Sequence, residues 1–218
     1  MARTVRLNKA HYPVTTLGPG RRIGLWLQGC PLACPGCVSQ DTWAGSDDQV
    51  LPLPLLLAWC QEVALTGLDG VTISGGEPFA QPEALLALLE ALRDWREVTG
   101  LNFDVLCYSG LPWRRLQQEF APILALLDAI IPEPFQAQRP TRLIWRGSAN
   151  QPLIPLSPLG QERYAPYLAL DVERRPFQVV VDHERVWGIG IPGPGDLARL
   201  EQRCIERGLE LGGLSWRG

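Results

Sequence analysis

The sequence predicts an α/β protein with a mostly parallel sheet. Apolar runs typical of buried strands alternate with segments of helical periodicity, and polar or glycine-rich strings follow the strands directly. The resulting order, βαβαβαβ, favours parallel strands joined by right-handed crossovers. With 218 residues, of which 46% are hydrophobic, the chain can form one well-packed domain and a small appendage.

The predicted elements follow from short, distinct patterns. Buried strands are expected over the apolar runs at residues 22–27, 71–74, 103–108 and 128–131. Helices are expected where leucines recur at helical spacing or proline stands in a first turn, at residues 54–66, 82–95 and 113–127. Two further strands and a helix are expected between residue 177 and residue 207.

Three motifs come directly after predicted strands. A cysteine loop follows Leu27, the string SGGEP follows Ile73, and the string YSG follows Leu106. Ligands of parallel α/β folds collect at the carboxyl ends of the strands. The three motifs are therefore expected to meet at one edge of the sheet, although they lie far apart in the sequence.

The cysteine loop contains Cys30, Cys34 and Cys37 in the string GCPLACPGC. The C-x3-C-x2-C spacing brings three thiolates around one small metal centre and offers no fourth ligand nearby. A [4Fe-4S] cluster is normally held by four cysteines, so three would leave one iron open for another molecule. A zinc site with a borrowed ligand and a chance cluster are alternatives, and the triplet alone leaves zinc a serious contender.

The string SGGEP, residues 74–78, changes this balance. Two glycines after a buried strand let the backbone approach a ligand closely. Glu77 or the neighbouring carbonyls could accept hydrogen bonds from a ligand ammonium group. Taken alone, the string is equally compatible with a plain tight turn between a strand and a helix.

Together, the two motifs resemble those of the radical S-adenosylmethionine (SAM) enzymes. The resemblance implies a partial, incomplete β/α barrel and a [4Fe-4S] cluster held by Cys30, Cys34 and Cys37. It implies that SAM binds the open iron through its amino and carboxylate groups. It also implies a set of SAM-contacting residues in the loops: Ser74, Gly75, Gly76, Glu77, Pro78, Tyr108, Ser109, Gly110 and Asn150.

Further strings resemble the activating proteins of glycyl radical enzymes, those of anaerobic ribonucleotide reductase first and those of pyruvate formate-lyase more distantly. These strings are GPGRR at 18–22, GCPLACPGCVSQDTW at 29–43, SGGEPFAQ at 74–81, YSG at 108–110 and RGSANQ at 146–151. The resemblance covers roughly residues 1–155. It implies that the GPGRR segment lies near the cluster mouth, where a cation could hold the SAM carboxylate or a partner's backbone. For Arg21 and Arg22 individually, a solvated or structural role is an equal alternative.

Two segments depart from that pattern. Residues 131–135 read IPEPF where these activating proteins carry an Asp-Gly pair near an aromatic residue, and Pro132 removes a backbone donor. The chain also continues past the usual end of such proteins. We therefore expect a core with the cluster and SAM site at residues 1–158 and a C-terminal appendage at 159–218, used either for packing or dimerisation or for docking a protein substrate.

The expected function is reductive cleavage of SAM to a 5′-deoxyadenosyl radical, which forms a glycyl radical on a partner enzyme. The alternatives are radical modification of a peptide or small molecule, and a non-catalytic iron–sulfur or zinc protein. An electron donor such as flavodoxin or ferredoxin is implied. A net charge of −3 gives no reason to expect a nucleic-acid partner, and no segment is long and apolar enough to cross a membrane. Three clustered cysteines indicate a metal site in a reducing compartment, so a cytoplasmic location is expected.

Overall fold

The computed structural model describes residues 4–45, 49–182, 185–193 and 195–209. The strands of its main sheet are β1 Thr4–Val14, β2 Arg22–Leu27, β3 Val50–Pro52, β4 Gly70–Gly75, β5 Asp104–Tyr108, β6 Ala129–Ile131 and β7 Ile154–Pro155. Their order in the sheet is β3-β1-β2-β4-β5-β6-β7. The middle strands β2, β4, β5 and β6 are parallel, whereas β1, β3 and β7 pair antiparallel with their neighbours.

The predicted α/β class with a mostly parallel central sheet is confirmed. Strand β1 was not predicted from the sequence. Only Val5 and Val14, near its two ends, are fully buried, and the residues between them are partly exposed. Its apolar periodicity is therefore too weak to indicate a strand, and pairing with β2 decides its conformation.

Five helices accompany the sheet in the described part up to residue 167: α1 Leu53–Ala64, α2 Pro82–Thr99, α3 Trp113–Glu119, α4 Ala121–Leu124 and α5 Pro158–Tyr164. Helices α1 to α4 share one core with one face of the sheet. The helix predicted over residues 113–127 is divided at Phe120, whose backbone leaves the helical region (φ −129°, ψ 28°). Pro122 follows, and it has no N–H to continue the hydrogen-bond ladder.

The opposite face of the sheet packs against later parts of the chain. Tyr164 of α5 is fully buried there, and its hydroxyl contacts Asp104. Strands β8 Phe177–Asp182 and β9 Arg185–Gly190 form an antiparallel pair, followed by helix α6 Asp196–Glu206. The division at residue 158 stays a prediction, and residues 210–218 of the expected appendage lie outside the described residues.

Arg22 lies at the start of β2, and its side chain is entirely buried. Its guanidinium donates to both carboxylate oxygens of Asp104, at 2.7 and 3.1 Å, and to Thr72 Oγ1 at 2.6 Å. The cysteine loop begins at the other end of β2, about 20 Å away for a strand of six residues. The expectation that the GPGRR segment lies near the cluster mouth is therefore wrong, because this string precedes the strand instead of following it.

Candidate functional site

The cysteine loop, residues 28–44, is closed at its base by main-chain hydrogen bonds. Gly29 N donates to Thr42 O at 2.8 Å, and Cys30 N donates to Trp43 O at 3.1 Å. These bonds pair the first residues after β2 with the last residues of the loop. The three cysteines therefore lie on a closed loop that projects from the carboxyl end of a buried strand.

Gln28 stabilises the base of this loop, a role that the sequence analysis missed. Its buried amide nitrogen donates to the carbonyl oxygens of Asp41 and Ala44, and its amide oxygen accepts from Asn8 Nδ2 at 2.6 Å. The signal available in the sequence is a glutamine directly after the apolar residues 23–27 of β2, because an amide that is buried with such a strand needs partners for its polar atoms.

The three cysteines are half-buried and line one cavity of about 520 Å³. Left-handed backbone at Ala33 (φ 45°) and Gly36 (φ 78°) turns the chain tightly between them. Burial raises the pKa of the Cys30 and Cys37 thiols.

Within the described residues, no three or more His, Cys, Asp or Glu side chains converge closely enough to hold a single metal ion. A [4Fe-4S] cluster is wider than one ion, and its cysteine ligands surround it instead of meeting at a point. Three thiols on one loop, facing one cavity, are therefore a donor set that fits such a cluster better than a lone zinc ion.

Gly75, the last residue of β4, packs against the end of β2, and Gly76 packs against the cysteine loop. A Cβ on Gly75 would lie 2.4 Å from Leu27 N, and one on Gly76 would lie 2.3 Å from Gly29 O. Gly76 N donates to Leu27 O at 2.8 Å, and Glu77 N donates to Gly29 O at 2.9 Å. The need for glycine thus comes from the neighbouring backbone, where the sequence analysis expected a ligand.

Glu77 connects the loops that follow β4 and β5. Its carboxylate is buried and accepts hydrogen bonds from Phe79 N at 3.0 Å, Ser109 Oγ at 2.9 Å and Gly110 N at 2.7 Å. Burial raises the pKa of Glu77, and these hydrogen bonds oppose the rise. Much of its acceptor capacity is therefore used inside the protein.

The far side of the cavity includes Tyr108, Gly147 and Gln151. The Tyr108 hydroxyl donates to Trp145 O at 3.0 Å, which links β5 to the RGSANQ string. Gln151 Oε1 accepts from Gly147 N at 3.0 Å, and Gln151 Nε2 donates to Glu133 O at 2.9 Å. The Gln151 side chain therefore holds the RGSANQ turn against the IPEPF segment, residues 131–135.

The structure brings most of the predicted site residues to this cavity. The predicted residues that line it are Cys30, Cys34, Cys37, Ser74, Gly75, Gly76, Glu77, Tyr108, Ser109 and Gly110. Pro78 and Asn150 are not among its lining residues. Pro78 is buried at the start of a short 3-10 turn, and Asn150 Nδ2 donates to Pro134 O at 2.8 Å. Asn150 Oδ1 is buried without a partner in the described structure.

Several lining residues were not predicted. Leu32 and Trp43 lie within the cysteine string and Phe135 within the IPEPF segment, but their apolar side chains gave no signal that separates a cavity wall from core. A further group of lining residues comes from the C-terminal part of the chain: Arg175, Ile191, Pro192, Gly193, Gly195, Leu197 and Ala198. Only the tertiary fold brings them to the cysteines.

A sequence model described as the 4Fe-4S single cluster domain matches residues 16–154, more than half of the chain. The chain belongs to this family. The single-cluster radical SAM family predicted from the cysteine and SGGEP motifs is thereby confirmed. The 4Fe-4S single cluster domain contains all three motifs at the carboxyl ends of β2, β4 and β5, together with the RGSANQ string.

The relatives of this 4Fe-4S single cluster protein include activating enzymes. It is 30% identical to the anaerobic ribonucleoside-triphosphate reductase-activating protein of Haemophilus influenzae, over 65% of this chain and 92% of the relative. It is 26% identical to the protein of that name in phage T4, over 62% and 85%. It is 23% identical to the pyruvate formate-lyase-activating enzyme of Streptococcus mutans, over 63% of this chain and 53% of that enzyme.

The chain is also similar to the crystal structure of QueE from Escherichia coli. That comparison covers 95% of this chain and 92% of QueE, with a TM-score of 0.44 and 16% sequence identity. Among the described helices, none has both the length and the apolar character needed to cross a membrane.

Proposed function

We propose that this protein is a radical SAM activating enzyme, which cleaves SAM reductively and forms a glycyl radical on a partner enzyme. The observation that carries the proposal is the convergence of the cysteine, SGGEP and YSG loops on one cavity of about 520 Å³. Similarity to activating proteins over nearly their whole length supports the same function.

In this proposal, Cys30, Cys34 and Cys37 hold a [4Fe-4S] cluster and leave one iron for the amino and carboxylate groups of SAM. When bound, the cluster supplies the single electron that breaks a carbon–sulfur bond of SAM. An electron donor such as flavodoxin or ferredoxin provides that electron. Because the three thiols must stay reduced, we also propose a cytoplasmic location.

The loops after β4 and β5 would position SAM. Since three protein donors already occupy the Glu77 carboxylate, we assign the methionyl ammonium to main-chain carbonyls of the segment 74–76. Tyr108, Ser109 and Gly110 would lie beside the bound molecule. Pro78 would act indirectly, by starting the turn that follows Glu77.

Asn150 would also act indirectly, by holding the Pro134 carbonyl beside the cavity-lining Phe135. On the scale of the fold, we propose that the parallel strands form the partial β/α barrel implied by the resemblance. The C-terminal hairpin and α6 would then be an appendage to that barrel.

The first test is anaerobic reconstitution with iron and sulfide, followed by addition of dithionite and SAM. The wild-type protein is expected to produce 5′-deoxyadenosine and methionine, and Cys34→Ala is expected to produce neither. Cys204→Ala is the matched control, because Cys204 lies on α6 and does not line the cavity. An intact cluster without any SAM cleavage would favour the non-catalytic alternative.

The second test adds each glycyl radical enzyme encoded in the source genome and measures electron paramagnetic resonance. A glycyl radical signal that depends on SAM and on Cys34 is expected for one of them. SAM cleavage without such a signal for any partner would contradict the activating role and favour a peptide or small-molecule substrate.

A further inference from the structure

The C-terminal part of the chain contributes one wall of the cavity that contains the cysteines. The lining residues of this wall are Ile191, Pro192, Gly193, Gly195, Leu197 and Ala198. They lie beyond residue 154, where the match to the 4Fe-4S single cluster domain ends. The two anaerobic ribonucleoside-triphosphate reductase-activating proteins compared above are covered over 85% and 92% of their length by only 62% and 65% of this chain. The wall thus belongs to the additional third of this chain.

This wall is attached to the main sheet at its β9 end. Ile189 is buried against Val14 and Trp26, and its carbonyl accepts a hydrogen bond from Thr16 Oγ1 at 3.0 Å. On the partner strand β8, Gln178 Nε2 donates to Pro13 O at 2.9 Å. These contacts hold the end of β9 beside β1 and β2, and the wall residues follow directly from it.

Arg175 attaches the wall to the other side of the cavity. Its guanidinium donates through Nη1 to Pro192 O at 3.4 Å and through Nη2 to Thr141 O. Thr141 belongs to the loop that also supplies Phe135, Ala137 and Pro140 to the cavity. The Arg175 side chain is partly buried, which lowers its pKa, and the nearby Asp196 carboxylate opposes that effect.

The chemistry of the lining limits what can enter. Among the described lining residues, only Glu77 and Arg175 carry a formal charge, and both already make hydrogen bonds inside the protein. The described residues of the C-terminal wall are all glycine, proline or aliphatic. A wall of this kind offers no ionic partner to a charged substrate, and it suits a narrow, uncharged segment of polypeptide backbone.

We propose that the described residues 191–193, 195, 197 and 198 form a specificity-determining wall of the catalytic cavity, and that Arg175 is the positioning residue that holds this wall against the 135–141 loop. The wall admits a slim polypeptide segment with small side chains and excludes bulky groups from the cysteines. The class of substrate that is admitted rests on the proposed function. The contact that Arg175 makes between the wall and the 135–141 loop does not depend on that function.

Thiol accessibility in the metal-free protein tests the closure without catalysis. In a Cys204→Ser background, Cys30, Cys34 and Cys37 are alkylated with iodoacetamide, which is small, or fluorescein maleimide, which is bulky. Arg175→Ala is expected to raise the rate with the bulky reagent about tenfold, as the loss of its hydrogen bonds opens the wall, and to leave the rate with the small one unchanged. Arg175→Lys should restore part of the protection. Arg174→Ala, an exposed neighbour, is the control and should match the parent.

Equal increases for both reagents, or no increase with the bulky one, would overturn the proposal. If Arg175→Ala does not fold, Leu197→Ala tests the wall in a second way, because it removes a lining side chain. Its control is Ile205→Ala, which changes an exposed residue on the same helix. Leu197→Ala should likewise accelerate only the bulky reagent, and an unchanged rate would count against the wall.

The reconstituted enzyme tests specificity. Arg175→Ala is expected to raise the KM for the activated partner about tenfold, whereas the exposed control Arg174→Ala should leave that KM unchanged. An unchanged KM in Arg175→Ala would contradict the specificity role. If no partner is ever activated by the wild type, the proposed function fails, yet the size-selective alkylation still decides whether the wall exists.

Discussion

Ser109 Oγ donates a hydrogen bond to Glu77 Oε1 at 2.9 Å, which joins the loops after two neighbouring parallel strands. Gly110 N donates to the other carboxylate oxygen at 2.7 Å. Glu77 N in turn donates to Gly29 O in the cysteine loop. One buried glutamate therefore connects the cysteine, SGGEP and YSG loops, and its main role in this structure is to fix their relative positions.

Glu77→Gln is expected to destabilise the metal-free protein by about 1–3 kcal/mol, because an amide replaces one acceptor oxygen with a donor and leaves a buried N–H unpaired. The looser loops should also weaken SAM binding to the reconstituted protein. Urea unfolding and SAM titration measure the two effects. The control is Glu83→Gln, an exposed glutamate in the first turn of α2. Wild-type stability together with wild-type SAM affinity would show that the connection is dispensable.

Gly76→Ala is expected to disturb the cysteine loop, because the new Cβ would lie 2.3 Å from Gly29 O, a backbone atom that a rotamer change cannot move. We expect a cost of about 1–3 kcal/mol in unfolding free energy and a lower yield of reconstituted cluster. Gly45→Ala is the control, since a Cβ there meets nothing within 4 Å. Cluster content is measured by iron and sulfide analysis, and equal content in the two variants would contradict the prediction.

Asp104→Asn is expected to cost about 3–5 kcal/mol, because it leaves the fully buried guanidinium of Arg22 without its counter-charge. Thermal or urea unfolding of the metal-free protein measures the loss. Asp94→Asn removes one partner of the exposed Arg93–Asp94 pair and should leave stability unchanged within error. Similar losses for the two variants would mean that burial of the Arg22–Asp104 pair is unimportant.

Cys60 makes stability depend on alkaline pH. Burial raises the pKa of its thiol from 9.0 to about 12. Between these values the unfolded chain releases this proton and the folded chain retains it, so the contribution is present below pH 9 and is lost as the pH rises toward 12. The expected loss is about 1.4 kcal/mol per pH unit.

Urea unfolding at pH 8 and pH 10 under anaerobic conditions measures this dependence. Cys60→Ala should show a shallower decline than the wild type over this range. Cys204→Ala, which removes a partly exposed thiol, should retain the wild-type decline. If the unfolding free energy falls equally with pH in the wild type and in Cys60→Ala, the Cys60 thiol is not the cause of the pH dependence.

The sequence was sufficient to predict the central strands and the long helices, for identifiable reasons. Strand β2 is buried at all six positions, and α2 buries Leu85, Leu88, Leu89 and Leu92 at helical spacing. Strand β1 lacks such a pattern, and β7 has only two residues. These edge strands depend on pairing with neighbours, which local patterns do not encode.

The candidate site was predictable where it follows from topology. Parallel strands end at a common edge, so the loops after β2, β4 and β5 had to meet. The GPGRR segment was misjudged because a motif at the start of a strand lies at the opposite edge. The wall around Leu197 depends on the docking of Ile189 beside Trp26, a contact between residues more than 160 positions apart that leaves no local signal.

The hydrogen bonds at the base of the cysteine loop involve no sulfur atom. In a zinc finger, the free energy of metal binding is also the free energy of folding. Here the Gly29–Thr42 and Cys30–Trp43 bonds join the two ends of the cysteine loop through main-chain atoms alone. If the proposed cluster lost its iron by oxidation, these bonds would not be lost with it, so repair would require fresh iron, sulfide and electrons but no new closure of the loop.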